Sequence, residues 1–267
     1  MWPSRPRRVC PSGHFLVTGI ESLYVRYALL GDIHGNTEAL ETVLAAIEAE
    51  HVDKIVCLGD IVGYGAEPVA CLERIMGLGC DVIAGNHDWA AVGKLSIDCF
   101  NAYAKAAAIW TRDQLNDAHQ AFLTDLPLTL TYDHFAVAHG TFHQPEAFNY
   151  IQTVFDAQQS FASLRDLGAQ LGFLGHSHVP VGFFDTDPIT YTLDQEIPVD
   201  EEVSVIVNAG SVGQPRDENN KASFALFDSD TKLVTIRRVE YDIDAAANKI
   251  RQAGLPEILA LRLYQGK

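Results

Sequence analysis

Short apolar runs alternate along this chain with longer stretches whose apolar residues recur at helical spacing, the pattern of βαβ units. Tyr27 to Leu30, Lys54 to Leu58 and Asp81 to Ala84 read as buried parallel strands, each closed by glycine and polar residues. Between the first two, Leu40, Val43, Leu44 and Ile47 fall at i, i+3, i+4 and i+7 behind Asn36, which can cap a helix that covers one sheet face. Pro68 to Leu78 predicts a second crossover helix, and Asn101 to Leu126 one long or two shorter helices that cap the strand ends.

Beyond Pro127 strands dominate. They are expected at Leu128 to Tyr132, Phe135 to Ala138, Leu171 to Leu174, Val179 to Phe184, Val203 to Val207, Phe224 to Phe227 and Leu233 to Val239. Helices are expected over Thr153 to Leu167 and from Asp242 onward, and the acidic stretch Thr186 to Glu202 reads as a hairpin excursion. With no repeat, low-complexity tract or linker, the pattern predicts a single domain over residues 25–267, built on two packed sheets. Residues 1–24 break their apolar stretch with proline and glycine, and they read as a disordered extension or as sequence upstream of a misassigned start.

Charge narrows the function. Thirty-five acids against nineteen bases leave −16, which repels nucleic acid and anionic membrane, so phosphate chemistry needs a local positive charge. A small-molecule partner is expected. Five cysteines without a C-x-x-C pair indicate neither a disulfide framework nor a zinc ribbon, and a reducing cytoplasm is the expected location. No apolar run reaches the ~20 residues that span a bilayer.

Five polar clusters stand directly after expected strands: Gly31-Asp32-Ile33-His34-Gly35-Asn36, Gly59-Asp60, Gly85-Asn86-His87-Asp88, Ala138-His139-Gly140 and Gly175-His176-Ser177-His178. In α/β sheets ligands gather at the carboxyl ends of strands. If Asp-x-His and His-x-His are extended, both side chains of each pair point the same way, because side chains alternate along a strand. Imidazole, carboxylate and an amide oxygen form a donor set for divalent manganese, iron, zinc or nickel, manganese first, and the lack of cysteine argues against a structural zinc site.

In this order and placement the clusters resemble the calcineurin-like metallophosphoesterase superfamily, in its small bacterial and archaeal phosphodiesterase branch. Gly59-Asp60-Ile61-Val62-Gly63-Tyr64-Gly65 and Asn208-Ala209-Gly210-Ser211-Val212-Gly213-Gln214-Pro215-Arg216-Asp217 carry the resemblance further. It implies a four-layer α/β/β/α sandwich of two mixed sheets with a helical cap. It also implies that Asp32, His34, Asp60 and His178 hold one metal and Asp60, Asn86, His139 and His176 a second, with Asp60 bridging. Where the serine/threonine phosphatases of the superfamily read Gly-Asp-x-Val-Asp-Arg-Gly, this chain has Gly63 and Tyr64, which disfavours a phosphoprotein substrate.

The expected activity is hydrolysis of phosphodiester or phosphoanhydride bonds in small nucleotide-type substrates, by hydroxide generated at two metals. His87 is expected to protonate the leaving oxygen, and Asp88 either to orient that imidazole or merely to start a helix. Arg216 either reaches a substrate phosphate or pairs with Asp217, the second being the favoured reading. Tyr64 and Trp89 stack on substrate or simply pack. A phosphomonoesterase or protein phosphatase, and a non-catalytic scaffold of the same fold as in a retromer subunit, are the competing readings; retention of every proposed ligand and of His87 argues against the scaffold.

Overall fold

The computed structural model describes residues 25–200 and 202–267. The expectation for residues 1–24 lies outside them. The chain runs β1 (Arg26–Leu30), α1 (Thr37–Ala49), β2 (Lys54–Cys57), α2 (Pro68–Leu78), β3 (Asp81–Val82), α3 (Asn86–Ala91), α4 (Ala102–Gln114), α5 (Asp117–Asp125), β4 (Thr129–Thr131) and β5 (Ala136–Ala138). It continues through α6 (Val154–Asp166), β6 (Leu171–Leu174), β7 (Val181–Phe184), β8 (Thr190–Thr192), β9 (Glu196–Pro198), β10 (Val205–Asn208), β11 (Ala222–Asp228), β12 (Leu233–Val239), α7 (Ile243–Gln252) and α8 (Glu257–Gln265).

These elements form two mixed sheets, with strand orders β3-β2-β1-β11-β12-β9 and β4-β5-β6-β10-β7-β8. In the first, β1, β2 and β3 are parallel. In the second, β5, β6 and β10 are parallel. Strand alternation then sorts the core into layers. Tyr27 and Leu29 of β1 join Val137, Phe173, Val205 and Val207 between the sheets, while Ala28 and Leu30 face Leu40 and Val43 of α1. On the outer face of the second sheet Ala136, Ala138 and Ile206 pack on Phe161 and Leu164 of α6. The result is the four-layer α/β/β/α sandwich.

Local signals place the helix ends. Asn36 Oδ1 accepts from Ala39 N–H at 3.1 Å and caps α1. Pro68 opens α2, and Gly79 closes it at φ 62. Asn101 to Leu126 resolves into two helices, each with an asparagine cap. The tail also divides in two, because Gly254 adopts φ 71 and Pro256 follows it.

The stretch Thr186 to Glu202 is not a hairpin of its own. β8 pairs with β7, whereas β9 pairs with β12 in the other sheet. The chain therefore crosses between the sheets here and gives each an edge strand, a step that local alternation does not encode.

Phe135 fixes the spacing of the two sheets. It is fully buried, with its ring 4.8 Å from Tyr27, 5.3 Å from Phe173 and 5.8 Å from Phe227, edge to face in each case. Phe135→Ala should lower unfolding free energy by about 3–5 kcal/mol in urea titration. An effect below ~1 kcal/mol would show that the intersheet layer collapses around the gap.

Candidate metal centre

The parallel strands of both sheets end at one locus. β1 leads to Asp32 and His34, β2 to Asp60 and β3 to Asn86, while β5 and β6 lead to His139 and His176. The sheets are joined there by the backbone: His176 N–H donates to both Asp32 carboxylate oxygens at 3.1 and 3.0 Å, and Gly213 N–H to Asp32 carbonyl at 2.9 Å. All seven candidate ligands are buried.

They do not converge through an extended backbone. Asp32, His34, Asp60, His176 and His178 adopt φ of 52, 51, 52, 68 and 61. Left-handed backbone is unfavourable for residues with a Cβ and is concentrated at functional sites. The expected alternation is thus replaced by tight turns, which aim both members of each pair inward. Glycine makes room for this: a Cβ on Gly85 would stand 2.0 Å from Asp60 Oδ1.

Two groups of donors result. Asp32, His34, Asp60 and His178 present ligand atoms within 4.8 Å of one another, and so do Asp60, His139 and His176. Asp60 belongs to both. The donor chemistry fits cations. His34, His139 and His178 each use Nδ1 to donate to a carbonyl, of Val62, Leu58 and Gln214, at 3.0, 2.7 and 2.6 Å. That fixes the tautomer and turns the Nε2 lone pair inward. His34 Nε2 and His178 Nε2 then face each other at 3.1 Å as two acceptors, an arrangement that only a cation or an added proton relieves.

The second group has the same character. His139 Nε2, His176 Nε2 and Asn86 Oδ1 are buried without hydrogen-bond partners. Such orphans are costly unless something fills the space between them. Burial pushes His34 and His176 well below the usual imidazole pKa. Burial opposes charge on His139 as well, but Asp60 and Asp32 raise it to about 9, so the carboxylates attract a proton where they can attract a metal. Asp60 itself resists burial and lies well below the carboxylate range, because His139 and His87 surround it.

His87 sits over this centre, 5 % exposed, with ring centroids 4.4 Å from Tyr64, 4.9 Å from Phe100 and 5.0 Å from His34. Burial lowers its pKa to about 4, and its Nδ1 has no partner. Asp88 does not touch the ring. Its carboxylate accepts backbone N–H bonds from Asp60, Ile61, Val62 and Gly85 at 2.8, 2.9, 3.2 and 3.0 Å. Burial and Asp60 push its pKa up to about 7, yet four donors at its oxygens favour the carboxylate. Its work is to clamp the turn that carries Asp60; it does not orient His87.

Arg216 also departs from the favoured reading. Asp217 pairs with Arg238. Arg216 instead donates to Gln214 Oε1 at 2.9 Å, stands 5.6 Å over Tyr64 and leaves Nε buried without a partner. Tyr64 in turn lies 4.7 Å from His34. Trp89 packs: it meets Phe148 edge-on at 5.6 Å under Lys94.

Several site residues carry no local sequence signal. Tyr150 stacks on His176 at 3.9 Å and 18°, Phe100 lies against His87, and Ser211 Oγ donates to Asp32 carbonyl at 2.8 Å. They come from loops distant in sequence, and only the fold brings them in. Ser211 lay within the motif Asn208 to Asp217, which gave the one hint.

A model of the calcineurin-like phosphoesterase superfamily domain matches residues 25–232. An uncharacterised protein of Methanocaldococcus jannaschii is 39% identical over 250 residues, which cover 90% of this chain and 98% of that protein. The crystal structure of a metallophosphoesterase from Sphaerobacter thermophilus superposes with a TM-score of 0.81 at 37% identity and covers 91% of this chain and 100% of its own. A hypothetical protein from Pyrococcus horikoshii, 24% identical with a TM-score of 0.74 over 91% of this chain and 99% of its own, shares the fold.

The clamp can be tested directly. Asp88→Asn places an amide N–H₂ against backbone donors, so it should cost about 2–3 kcal/mol in unfolding free energy and lower the metal content of purified protein. Unchanged stability and metal content would mean that Asp60 is positioned without it.

Proposed function

We propose that this chain, which belongs to the calcineurin-like phosphoesterase superfamily and is a hydrolase of phosphate esters, cleaves phosphodiester or phosphoanhydride bonds of small nucleotide-type molecules with two divalent ions, manganese first. The observation that carries the reading is the pair of acceptors at 3.1 Å, His34 and His178 Nε2, beside a carboxylate common to both donor groups. Nitrogen and oxygen donors without sulfur suit manganese, iron, zinc or nickel alike, and manganese is put first on the family resemblance. Cysteines 57, 71, 80 and 99 are free thiols, which supports a cytoplasmic location.

Two divalent ions supply positive charge to a phosphate and lower the pKa of water enough for attack at neutral pH. The remaining tasks fall to side chains. Asp32, His34, Asp60 and His178 would hold one ion, and Asp60, Asn86, His139 and His176 the other. Arg216, oriented by Gln214 and backed by Tyr64, offers its guanidinium to a phosphate oxygen. His87 delivers a proton to the departing oxygen. Burial lowers its pKa to about 4 in the free chain, so the imidazole must gain a proton before it can act as the acid.

The site also supports a small substrate over a phosphoprotein. Where protein phosphatases carry an aspartate, a Cβ on Gly63 would stand 2.7 Å from His87 Nδ1, so that side chain and this His87 position exclude each other.

The function is tested with manganese-loaded enzyme on cyclic nucleotides, dinucleoside polyphosphates and aryl phosphate esters. Turnover of nucleotide diesters or anhydrides above that of phosphopeptides is expected; a preference for phosphopeptides would overturn the reading. Asp60→Asn should lose both metals and activity together, and retention of two metals per chain would remove Asp60 from the bridge. His87→Ala should keep its metals yet lose ~10²–10⁴ in rate on alkyl or nucleoside diesters and far less on nitrophenyl ones, whose leaving group needs no proton. Equal losses on both classes, with chemistry limiting, would assign His87 to binding instead.

A further inference from the structure

Tyr150 lies flat on His176, with ring centroids 3.9 Å apart and planes 18° from parallel. His176 thereby covers one face of the phenol, yet Tyr150 remains 46 % exposed. A half-exposed ring laid over a candidate metal ligand is a surface on which a flat group of the substrate can rest while its phosphate lies at the centre.

The chain holds that ring in place. Phe148, two residues before it, is buried with its ring 5.9 Å from His139 and 5.6 Å from Trp89. Ile151, one residue after it, is buried with Phe161 and Leu164 of α6. Between these anchors the backbone presses on the end of β5, where a Cβ on Gly140 would stand 2.7 Å from the Asn149 carbonyl oxygen. Tyr150 is thus positioned without a ligand, and little ordering cost remains for one that stacks on it.

Tyr150 also lines a recess of about 290 Å³, together with Thr141, His143, Asn149, Asp156 and Gln159. Asp156 and Gln159 stand three residues apart on α6 and so share a face of it. Asp156 is engaged in capping that helix, its Oδ2 accepting from Thr153 N–H at 2.9 Å and from Thr153 Oγ1 at 2.8 Å. The recess therefore offers amides, hydroxyls and an imidazole, and among the described residues no lysine or arginine lines it. Such groups both donate and accept without fixed positive charge, which suits the edge of an uncharged ring and not a further phosphate. A side-chain amide matches the adjacent donor and acceptor on the edge of adenine, and bases stack on aromatic rings. The volume lies at the small end of ligand sites, about 300–1,000 Å³, as expected for a subsite that takes one part of a substrate.

We propose that this recess is a nucleobase subsite: the base of a nucleoside joined to the scissile phosphate stacks on Tyr150, and Asn149 and Gln159 read its edge. The inference rests on the proposed phosphoesterase reading and narrows its substrate class to nucleoside phosphate esters and anhydrides. Tyr150 is then a specificity residue, which binds the base and takes no part in the cleavage.

The test measures binding, apart from turnover. Dissociation constants of manganese-loaded enzyme are compared at constant free manganese for AMP and ribose 5-phosphate, which share phosphate and ribose and have no diester or anhydride bond to cleave. The wild type should favour AMP about tenfold. In Tyr150→Leu that ratio should fall to near one, and in Tyr150→Phe, which keeps the ring, it should persist. A ring that merely shields His176 would instead weaken both ligands alike and leave the ratio unchanged. Thermal unfolding and metal content check each variant; where Tyr150→Leu fails either, Gln159→Ala, at an exposed position of α6, decides, with the ratio expected to fall about threefold. An unchanged ratio in the deciding variant, a ratio lost in folded Tyr150→Phe, or a wild type with no preference would overturn the subsite. Failure of the broader reading looks different: the ratio responds to Tyr150 while no phosphate ester is hydrolysed.

Discussion

Histidine lone pairs and carboxylate oxygens aimed at one another in a space closed to water repel unless a cation sits among them, and the structure around this centre exists to hold them there regardless. His34 and His178 cannot turn away, because their Nδ1 atoms are bound to the carbonyls of Val62 and Gln214. Asp60 cannot swing out, because His87 N–H holds its Oδ1 at 2.8 Å and Asp88 holds the backbone beneath it. The repulsion stored in this way becomes affinity when metal binds.

Such rigidity demands support from every layer. Two sheets converge on one locus because β1, β2 and β3 run parallel in one and β5, β6 and β10 in the other. The packed layer between them, with Phe135 at its middle, keeps their edges in register. At those edges the backbone turns left-handed at five ligand positions, a conformational cost of order 1–3 kcal/mol each that the surrounding bonds sustain. Local strain and global architecture serve one geometry.

Electrostatics then separates the site from the surface. The chain as a whole is strongly acidic, yet the mouth of the centre displays Arg216 without a carboxylate partner and uses Tyr64 as its floor. Divalent ions at the centre would add to the charge of Arg216 and give a local positive field inside a negative envelope, which favours an anionic ligand in the cleft.

By itself the amino-acid sequence determined the two packed sheets, the strand ends and the identity of the polar clusters, because apolar periodicity, Asn36 and Pro68 at helix starts and the glycines before Asp32, Asp60, Asn86 and His176 are local properties. It misread what depends on partners far along the chain. Of the two readings open for Asp88, companion of His87 or start of a helix, the structure keeps the second, through Gly85 N–H, and adds three N–H donors more than two dozen residues away, on the turn that follows β2. Arg216 looked paired with Asp217, but the tertiary structure gives that aspartate to Arg238 and turns the guanidinium to Gln214 and Tyr64, with Nε unpartnered. Asp-x-His looked extended, since the strand before it is, and only the meeting of two sheets requires the left-handed turn. Alternation and caps are decided within a few residues; the direction of a charge is decided by whatever the fold places opposite it.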